Sequence, residues 1–219
     1  GVQGFGPVQG APLGPLTATV LEATSVNFDG SLVVGTASVR LDNQLPFPRT
    51  ELLAWRWSPT GGTRLLTNAD GSVYLGGSSA SDVSSDGNWI VGEGPGLQFF
   101  RWREDLGFQF ITRITDGIIG DRPRVSDDGA TIVYGRNFWT ESGGVQTLQQ
   151  VLTQAGCDFT GWTNLSAVDI SGDGRTIAGN GTNPQGQQQG WVATVPGPGG
   201  VVMVSSVGLL ALATRRRRR

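Results

Sequence analysis

The sequence predicts an all-β fold built from repeated antiparallel units, with one short helix. A short turn motif containing Asp-Gly occurs four times, and an apolar run follows each copy. A second motif, which contains tryptophan, follows each copy of the turn motif. The spacing between copies of the turn motif suits four short strands per unit. These observations favour a β-propeller-like array of about four or five four-stranded blades, either closed or part of a larger ring.

The turn motif has Ser or Asn first, Asp-Gly at its third and fourth positions, and a glycine after the apolar run. The copies occupy residues 27–35, 84–92, 126–135 and 171–179, the third with one extra residue, and their aspartates are 57, 42 and 45 residues apart. Asp-Gly between β-prone runs predicts a two-residue hairpin in which both central residues have positive φ. Asp70-Gly71 lies too close to Asp86 to begin another unit and predicts an extra hairpin.

The second motif predicts an aromatic strand that packs between units, with arginine stacking on a ring or pairing with an acid. Helical spacing is best from Leu148 to Ala155, and Gly156 follows as a stop signal. If the ring closes, we expect residues 17–20 to complete the last unit beside residues 191–193. The copies of the second motif are Ala54–Trp57, Phe99–Trp102, Asn137–Trp139 and Gln189–Trp191.

The C-terminal residues predict a separate tail, 196–219, after a repeat domain of residues 1–195. Pro196, Gly197, Pro198 and Gly199 precede the apolar run 200–214, and Arg215, Arg216, Arg217, Arg218 and Arg219 end the chain. As a helix, the run would measure about 23 Å, which is short against roughly 30 Å of bilayer hydrocarbon. The arginines would stay in the cytoplasm and leave residues 1–195 across the membrane, so we expect an exported protein. A plain C-terminal anchor is the alternative.

The tail resembles the PEP-CTERM sorting signal of Gram-negative bacteria, although Gly197 stands where that family usually has Glu. The resemblance implies a sorting protease of the exosortase type as a partner and a location at the cell surface or outside the cell. The paired motifs over residues 13–195 resemble the HAF-repeat family of extracellular bacterial proteins, most closely from Asp158 to Ala193. That resemblance implies a repeat fold and an extracellular location, and it implies no defined activity.

The amino-acid composition limits the binding partners and the catalytic mechanisms that this chain can have. The chain has sixteen arginines, no lysine and no histidine, and its net charge of −2 becomes −7 without the five terminal arginines. An acidic body without a basic stripe argues against a nucleic-acid partner. The missing histidine excludes Ser-His-Asp catalysis and His-ligated zinc.

Cys157 is the only cysteine, and we expect it to fill an apolar site. An exported protein is expected to begin with a signal peptide, which this sequence does not contain, so a processed form or a fragment is expected.

Calcium is a possible ligand of two turns. Oxygen-bearing side chains at alternate positions before a glycine are typical of calcium loops. The same pattern is typical of ordinary turns stabilised by Asp or Asn side chains, and no bidentate Glu is clearly supplied. The candidate ligands are Asp82, Ser84 and Asp86 in one loop and Asp169, Ser171 and Asp173 in the other.

Two classes of function remain. The first is an exported, surface-sorted β-propeller that binds a polysaccharide or a surface protein, or that has a structural role in the envelope or extracellular matrix, without catalysis or cofactor. The second is a secreted carbohydrate-active enzyme with two carboxylates at the propeller axis. The candidate carboxylates are Glu93, Glu104, Asp105, Asp116, Asp121 and Glu141, and solvated surface acids are the simpler account of them.

Overall fold

The computed structural model describes Gly4 and residues 9–10, 14–15, 17–41, 49–96, 98–112 and 122–195. These residues form an all-β fold with one short helix, as predicted. The tail of residues 196–219, Asp116 and Asp121 lie outside the described residues. The elements are β1 (Gln9–Gly10), β2 (Gly14–Pro15), β3 (Thr17–Val26), β4 (Val33–Leu41), β5 (Arg49–Ser58), β6 (Gly62–Leu65), β7 (Ser79–Val83), β8 (Ile90–Glu93), β9 (Gln98–Arg103), β10 (Gly107–Thr112), β11 (Arg124–Val125), β12 (Thr131–Tyr134), β13 (Asn137–Thr140), β14 (Gly144–Thr147), α1 (Leu148–Gln154), β15 (Thr163–Ile170), β16 (Thr176–Thr182) and β17 (Gln188–Thr194).

Four sheets follow one another along the chain, each containing an antiparallel meander. The first has the order β2-β1-β6-β5-β4-β3, in which β1 runs parallel to β6. The second contains β7 to β10 and the third β11 to β14, each in chain order. The fourth contains only β15, β16 and β17 among the described residues. Within the described part of the chain, the fourth sheet therefore has three of the four strands predicted per unit.

The Asp-Gly motifs are six-residue turns between the first and second strands of the meanders, and each is closed by its own first residue. In the second sheet, Ser84 N–H donates to the Trp89 carbonyl and Trp89 N–H donates to the Ser84 hydroxyl, both at 2.9 Å. The Asp86 carboxylate accepts from the Ser84 hydroxyl and from the Asn88 amide. Equivalent closing bonds occur in the turns Asn27–Leu32, Ser126–Thr131 and Ser171–Thr176.

The prediction of a two-residue hairpin with two positive φ angles is wrong. In the second turn only Gly87 has a positive φ, 77°, and Asp86 does not. The Gly87 amide donates to the Ser84 carbonyl, which places glycine at the fourth position of a β-turn. The aspartate is needed for its side-chain hydrogen bonds, so four residues rather than two separate the paired ends.

A glycine on the second strand lies opposite an aromatic ring on the third strand in three sheets. Gly35 pairs with Trp55, and Gly92 pairs with Phe100. Gly179 pairs with Trp191, where a Cβ on the glycine would stand 2.1 Å from the indole and 2.4 Å from the Ser166 carbonyl oxygen. Glycine is therefore required because the ring and a first-strand carbonyl occupy the space of a side chain.

The third sheet reverses this pairing. Its equivalent second-strand residue is Tyr134, which pairs with Asn137 in place of an aromatic residue. The Tyr134 ring stacks on Phe99 of the second sheet, with centroids 5.8 Å apart. The third motif is one residue longer because Tyr134 stands where the other copies have their final glycine, and the glycine comes one position later, as Gly135.

Apolar cores lie between successive sheets. We call the face of a sheet toward the next sheet its forward face and the opposite one its rear face. The first interface joins Val34 and Ala54 to residues including Ile90 and Phe100. The second joins the second and third sheets, and the third joins the third and fourth sheets with α1. Members of the second core are Trp89, Val91, Phe99, Val125, Ile132, Tyr134 and Trp139, and members of the third include Val133, Phe138, Leu148, Leu152, Ile177, Trp191 and Ala193.

Arginines on the third strands stack across two of these interfaces, which confirms the predicted stacking and pairing. Arg101 is only 6% exposed, and its guanidinium lies 4.7 Å from the ring centroids of both Trp89 and Trp139. It also donates to Glu141 of the third sheet at 2.7 Å. Arg56 of the first sheet repeats the arrangement with Trp102 and Glu104 of the second.

The predicted helix is confirmed. Thr147 caps the start of α1 by accepting from the Gln150 amide, and the Gln150 side chain accepts from the Thr147 amide. Gly156, with a φ of 76°, follows the helix end. The described residues contain no helix long and apolar enough to cross a membrane.

Residues 17–20 do not complete the last sheet. They belong to β3, where Thr17 pairs with Arg40 and Ala18 pairs with Val39. The expectation that they pair beside residues 191–193 is wrong, because β3 is the edge strand of the first sheet and the described strands of the fourth sheet are β15, β16 and β17 alone.

The glycine–aromatic pairing predicts a large difference between two alanine substitutions in one sheet. Gly179→Ala should lower the free energy of unfolding by about 1–3 kcal/mol, because the new methyl group overlaps Trp191 and a backbone carbonyl. Gly190→Ala is the matched control, since its Cβ meets nothing nearer than 3.8 Å. Urea denaturation of both variants measures the difference, and equal stabilities would contradict this account.

Candidate functional site

Equivalent second residues of the four turns form a hydrogen-bonded series from sheet to sheet. Phe28 N–H donates to the Ser85 carbonyl at 3.2 Å. Ser85 N–H donates to the Asp127 carboxylate at 3.0 Å. Asp127 N–H donates to the Gly172 carbonyl at 2.8 Å. The turns therefore lie at one end of the structure, and this series brings the first strands of the sheets close together.

The first strands carry a cluster of polar side chains two residues before each turn. Ser25, Asp82, Arg124 and Asp169 occupy this position in the four sheets. The Ser25 hydroxyl donates to Asp82 at 2.9 Å, and the Arg124 guanidinium lies 4.0 Å from the same carboxylate. The Val125 amide donates to Asp82 at 3.2 Å. Asp82 therefore connects the first three sheets.

Two further contacts extend the cluster. Arg124 donates to the Val168 carbonyl of the fourth sheet at 3.4 Å. Arg122, just before β11, forms an ion pair with Glu22 of the first sheet at 3.6 Å. We define the first-strand cluster as Glu22, Ser25, Asp82, Arg122 and Arg124.

Burial raises the pKa of the Asp82 carboxyl, against the opposing effects of the Arg124 charge and of the hydrogen bonds from Ser25 and Val125. Its side chain is 18% exposed, whereas those of Glu22 and Arg122 are 63% and 46% exposed. The cluster thus has a half-buried acid at its base and an exposed ion pair at its surface. Arg122 can offer its planar donors to a carboxylate or hydroxyl of a ligand.

The four described acids among the catalytic candidates are not brought together by the contacts of the structure. Glu104, Asp105 and Glu141 each accept a hydrogen bond from an arginine, and that bond lowers the pKa of each carboxyl. A general acid needs the opposite shift. Glu93 accepts a hydrogen bond from the Tyr134 hydroxyl.

The predicted calcium ligands have different partners. Asp82 faces the first and third sheets, whereas Asp86 accepts hydrogen bonds within its own turn. Asp173 accepts from the Ser171 hydroxyl and from the Arg175 amide, and these bonds lower its pKa. No group of three or more His, Cys, Asp or Glu side chains suited to a metal ion occurs within the described part of the chain. Calcium binding at these turns stays a prediction.

Cys157 is partly buried against the core between the third and fourth sheets. Burial raises the pKa of its thiol, which disfavours the reactive thiolate. These properties agree with the predicted packing role.

Sequence reasoning missed the first-strand cluster as a unit. Asp82 was assigned to a calcium loop, while Glu22, Ser25, Arg122 and Arg124 attracted no prediction. Alignment of the four turn motifs carries a signal for part of the cluster, because Ser25, Asp82 and Arg124 each stand two positions before a turn. The sequence does not reveal that these positions converge, since convergence depends on how the sheets pack.

Comparison with known proteins adds little. No family model and no curated protein matches the chain. A solved structure, "Structure of U3-55K", is similar over 80% of this chain and 53% of that one, with 12% sequence identity and a TM-score of 0.43. The chain therefore spans about half the length of that protein.

The raised pKa of Asp82 predicts a pH-dependent effect of Asp82→Asn. Folding favours the protonated carboxyl, so this contribution to stability is complete below the ordinary value of 3.8 and is lost as pH rises through the raised folded pKa. The stability of the wild type relative to the variant should therefore fall as pH rises from 3.8 toward neutrality. Denaturant unfolding at a series of pH values measures this difference.

Asp105→Asn provides the control of opposite sign. The hydrogen bond from Arg103 lowers the pKa of Asp105, so the advantage of the wild type over this variant should grow as pH rises through that lowered value. An Asp82→Asn difference that stays constant with pH would contradict the assignment of Asp82 as a destabilised buried anion.

Proposed function

We propose that the chain is an exported, surface-sorted β-propeller-like protein that binds an extracellular polysaccharide. The proposal combines the repeated sheets with the C-terminal pattern of the sequence. Its family assignment, to HAF-repeat proteins with a PEP-CTERM-type tail, rests on the motifs of the sequence alone.

The propeller-like arrangement is supported by three repeated features. Each sheet contains a meander, each interface packs the forward face of one sheet on the rear face of the next, and the turns are joined in series. In such an arrangement the first strands lie nearest the axis. The first-strand cluster then lies on the axial surface.

One observation carries the binding role: Arg122 stands at this surface, almost half exposed, and a carboxylate of the described residues, that of Glu22, lies 3.6 Å from its guanidinium. A guanidinium can exchange such a partner for a ligand carboxylate, because both make the same charge-assisted hydrogen bonds. The described acids that would serve in glycoside cleavage are instead paired with arginine or tyrosine. Binding without turnover is therefore favoured over the carbohydrate-active enzyme.

The expected result is retention on a carboxylated polysaccharide. Affinity electrophoresis of the purified chain through gels containing alginate or dextran measures this, and a reducing-end assay measures cleavage. Arg122→Ala should weaken alginate binding severalfold. Arg49→Ala should not, although Arg49 is similarly exposed at 48% and also forms an ion pair, with Glu51.

The alternatives give different outcomes. Release of reducing ends that disappears in one carboxylate variant would support the enzyme. Equal migration in all gels would contradict polysaccharide binding and leave a surface protein as the partner.

The sorting proposal has its own measurement. The intact mass of the protein recovered from its native host, after separation of cells, membranes and medium, should correspond to a chain that ends near residues 196–199. A product that retains residues 200–219 and stays in the membrane would identify the tail as a plain anchor.

A further inference from the structure

The ion pair between Glu22 and Arg122 is looser than the ion pairs outside the first-strand cluster. The nearest nitrogen and oxygen atoms of the two side chains are 3.6 Å apart, which is outside hydrogen-bond distance. Among the described residues, the four arginine–carboxylate pairs outside the cluster measure 2.8 Å or less. The Arg122 guanidinium and the Glu22 carboxylate therefore attract each other by charge without a hydrogen bond between them.

Arg124, the other arginine of the cluster, is held by backbone carbonyls. It donates to the Ser81 carbonyl at 3.1 Å and to the Val168 carbonyl at 3.4 Å, and its side chain is 28% exposed. The side chain of Arg122 is 46% exposed. An anionic group that approaches the cluster therefore has better access to Arg122 than to Arg124.

The ionised groups of the first-strand cluster balance one another. Glu22 and Asp82 carry negative charges, and the two arginines carry an equal positive charge. A ligand carboxylate that bound Arg122 while Glu22 stayed in place would give the site an excess negative charge, and like charges at short range repel. Glu22 must therefore move away from Arg122, and its side chain, 63% exposed, has solvent to move into.

We propose that Glu22 competes with the ligand carboxylate for Arg122 and so limits the affinity of the site. This inference rests on the proposed binding role of Arg122. Because Glu22 belongs to the same chain, it stays beside the guanidinium at a high effective concentration, whatever the concentration of the ligand. The ion pair thus keeps Arg122 occupied in the unliganded protein and is exchanged when the ligand binds.

Glu22→Gln should strengthen binding of the full chain to alginate about two- to fivefold, the size expected for removal of an exposed ion-pair partner. Affinity electrophoresis measures this as retention relative to a gel without polysaccharide. The ionic strength is held constant, because salt screens exposed charges. Glu22→Ala, which also removes the carboxylate, should change the retention in the same direction.

Glu51→Gln is the matched control. Glu51 also lies on the first sheet and pairs with Arg49 outside the cluster, at 2.8 Å, so its substitution changes the net charge equally. Retention of this variant on alginate should equal that of the wild type. A rise of the same size in both variants would attribute the effect to net charge alone and would overturn the proposal.

The dependence on Arg122 gives an independent readout. In an Arg122→Ala background, Glu22→Gln should leave retention unchanged, because the competition acts only through this guanidinium. A gain that persists in that background would contradict the proposal. Urea denaturation of the Glu22 variants should stay close to that of the wild type, since the side chain is 63% exposed.

The remaining outcomes separate this inference from the proposed function. Weaker retention of Glu22→Gln would show that Glu22 itself contacts the ligand and would overturn the competition. Unchanged retention, with Arg122→Ala still weaker than the wild type, would also overturn the competition but leave the proposed binding function standing. If neither the wild type nor Glu22→Gln is retained on alginate, the proposed function fails, and the competition fails with it.

Discussion

The constraint on which the rest of the structure depends is that the apolar faces of a small meander need to be covered by another sheet. Each sheet has apolar side chains on its rear face and, in the first three sheets, on its forward face as well. A single antiparallel sheet of this kind cannot fold alone, since burial of apolar surface is the main favourable contribution. Successive sheets therefore stack, and the turn-to-turn hydrogen bonds set which residues meet.

This stacking explains why the interfaces tolerate different chemistry. The Arg101 guanidinium is buried between two indole rings, and its hydrogen bonds to Gln109, Gly129 and Glu141 satisfy donors that water would otherwise serve. At the equivalent place between the third and fourth sheets, Phe138 packs with apolar residues and needs no such partners. Either solution fills the interface, and the guanidinium requires partners for its buried donors whereas the phenyl ring does not.

The sequence predicted the repeated units, the strand motifs and α1 because these depend on local signals: Asp-Gly turns, short apolar runs, the tryptophan motif and a helix stop. It did not predict the form of the turn, since the side-chain bonds of Ser84 and Asp86 require a longer loop than Asp-Gly alone indicates. The pairing expected for residues 17–20 was also wrong, because the composition of a short strand does not reveal which sheet it joins, and these residues join the first sheet beside β4. The first-strand cluster was missed because its members, such as Glu22 and Arg122, lie about a hundred residues apart.

In the third sheet, Tyr134 opposite Asn137 replaces the pair of a glycine and an aromatic residue that the other sheets have at this place. This replacement indicates how the sequences of such repeats diverge. After duplication, a copy that acquires a large residue on its second strand must also lose the ring opposite, because the two occupy one volume. Neither change alone is neutral, so the pair should be inherited as a unit and should vary together among descendants. Such paired changes would preserve the interface while each copy acquires its own sequence. They account for the third copy, whose motif departs from the others in sequence but which forms the same kind of sheet.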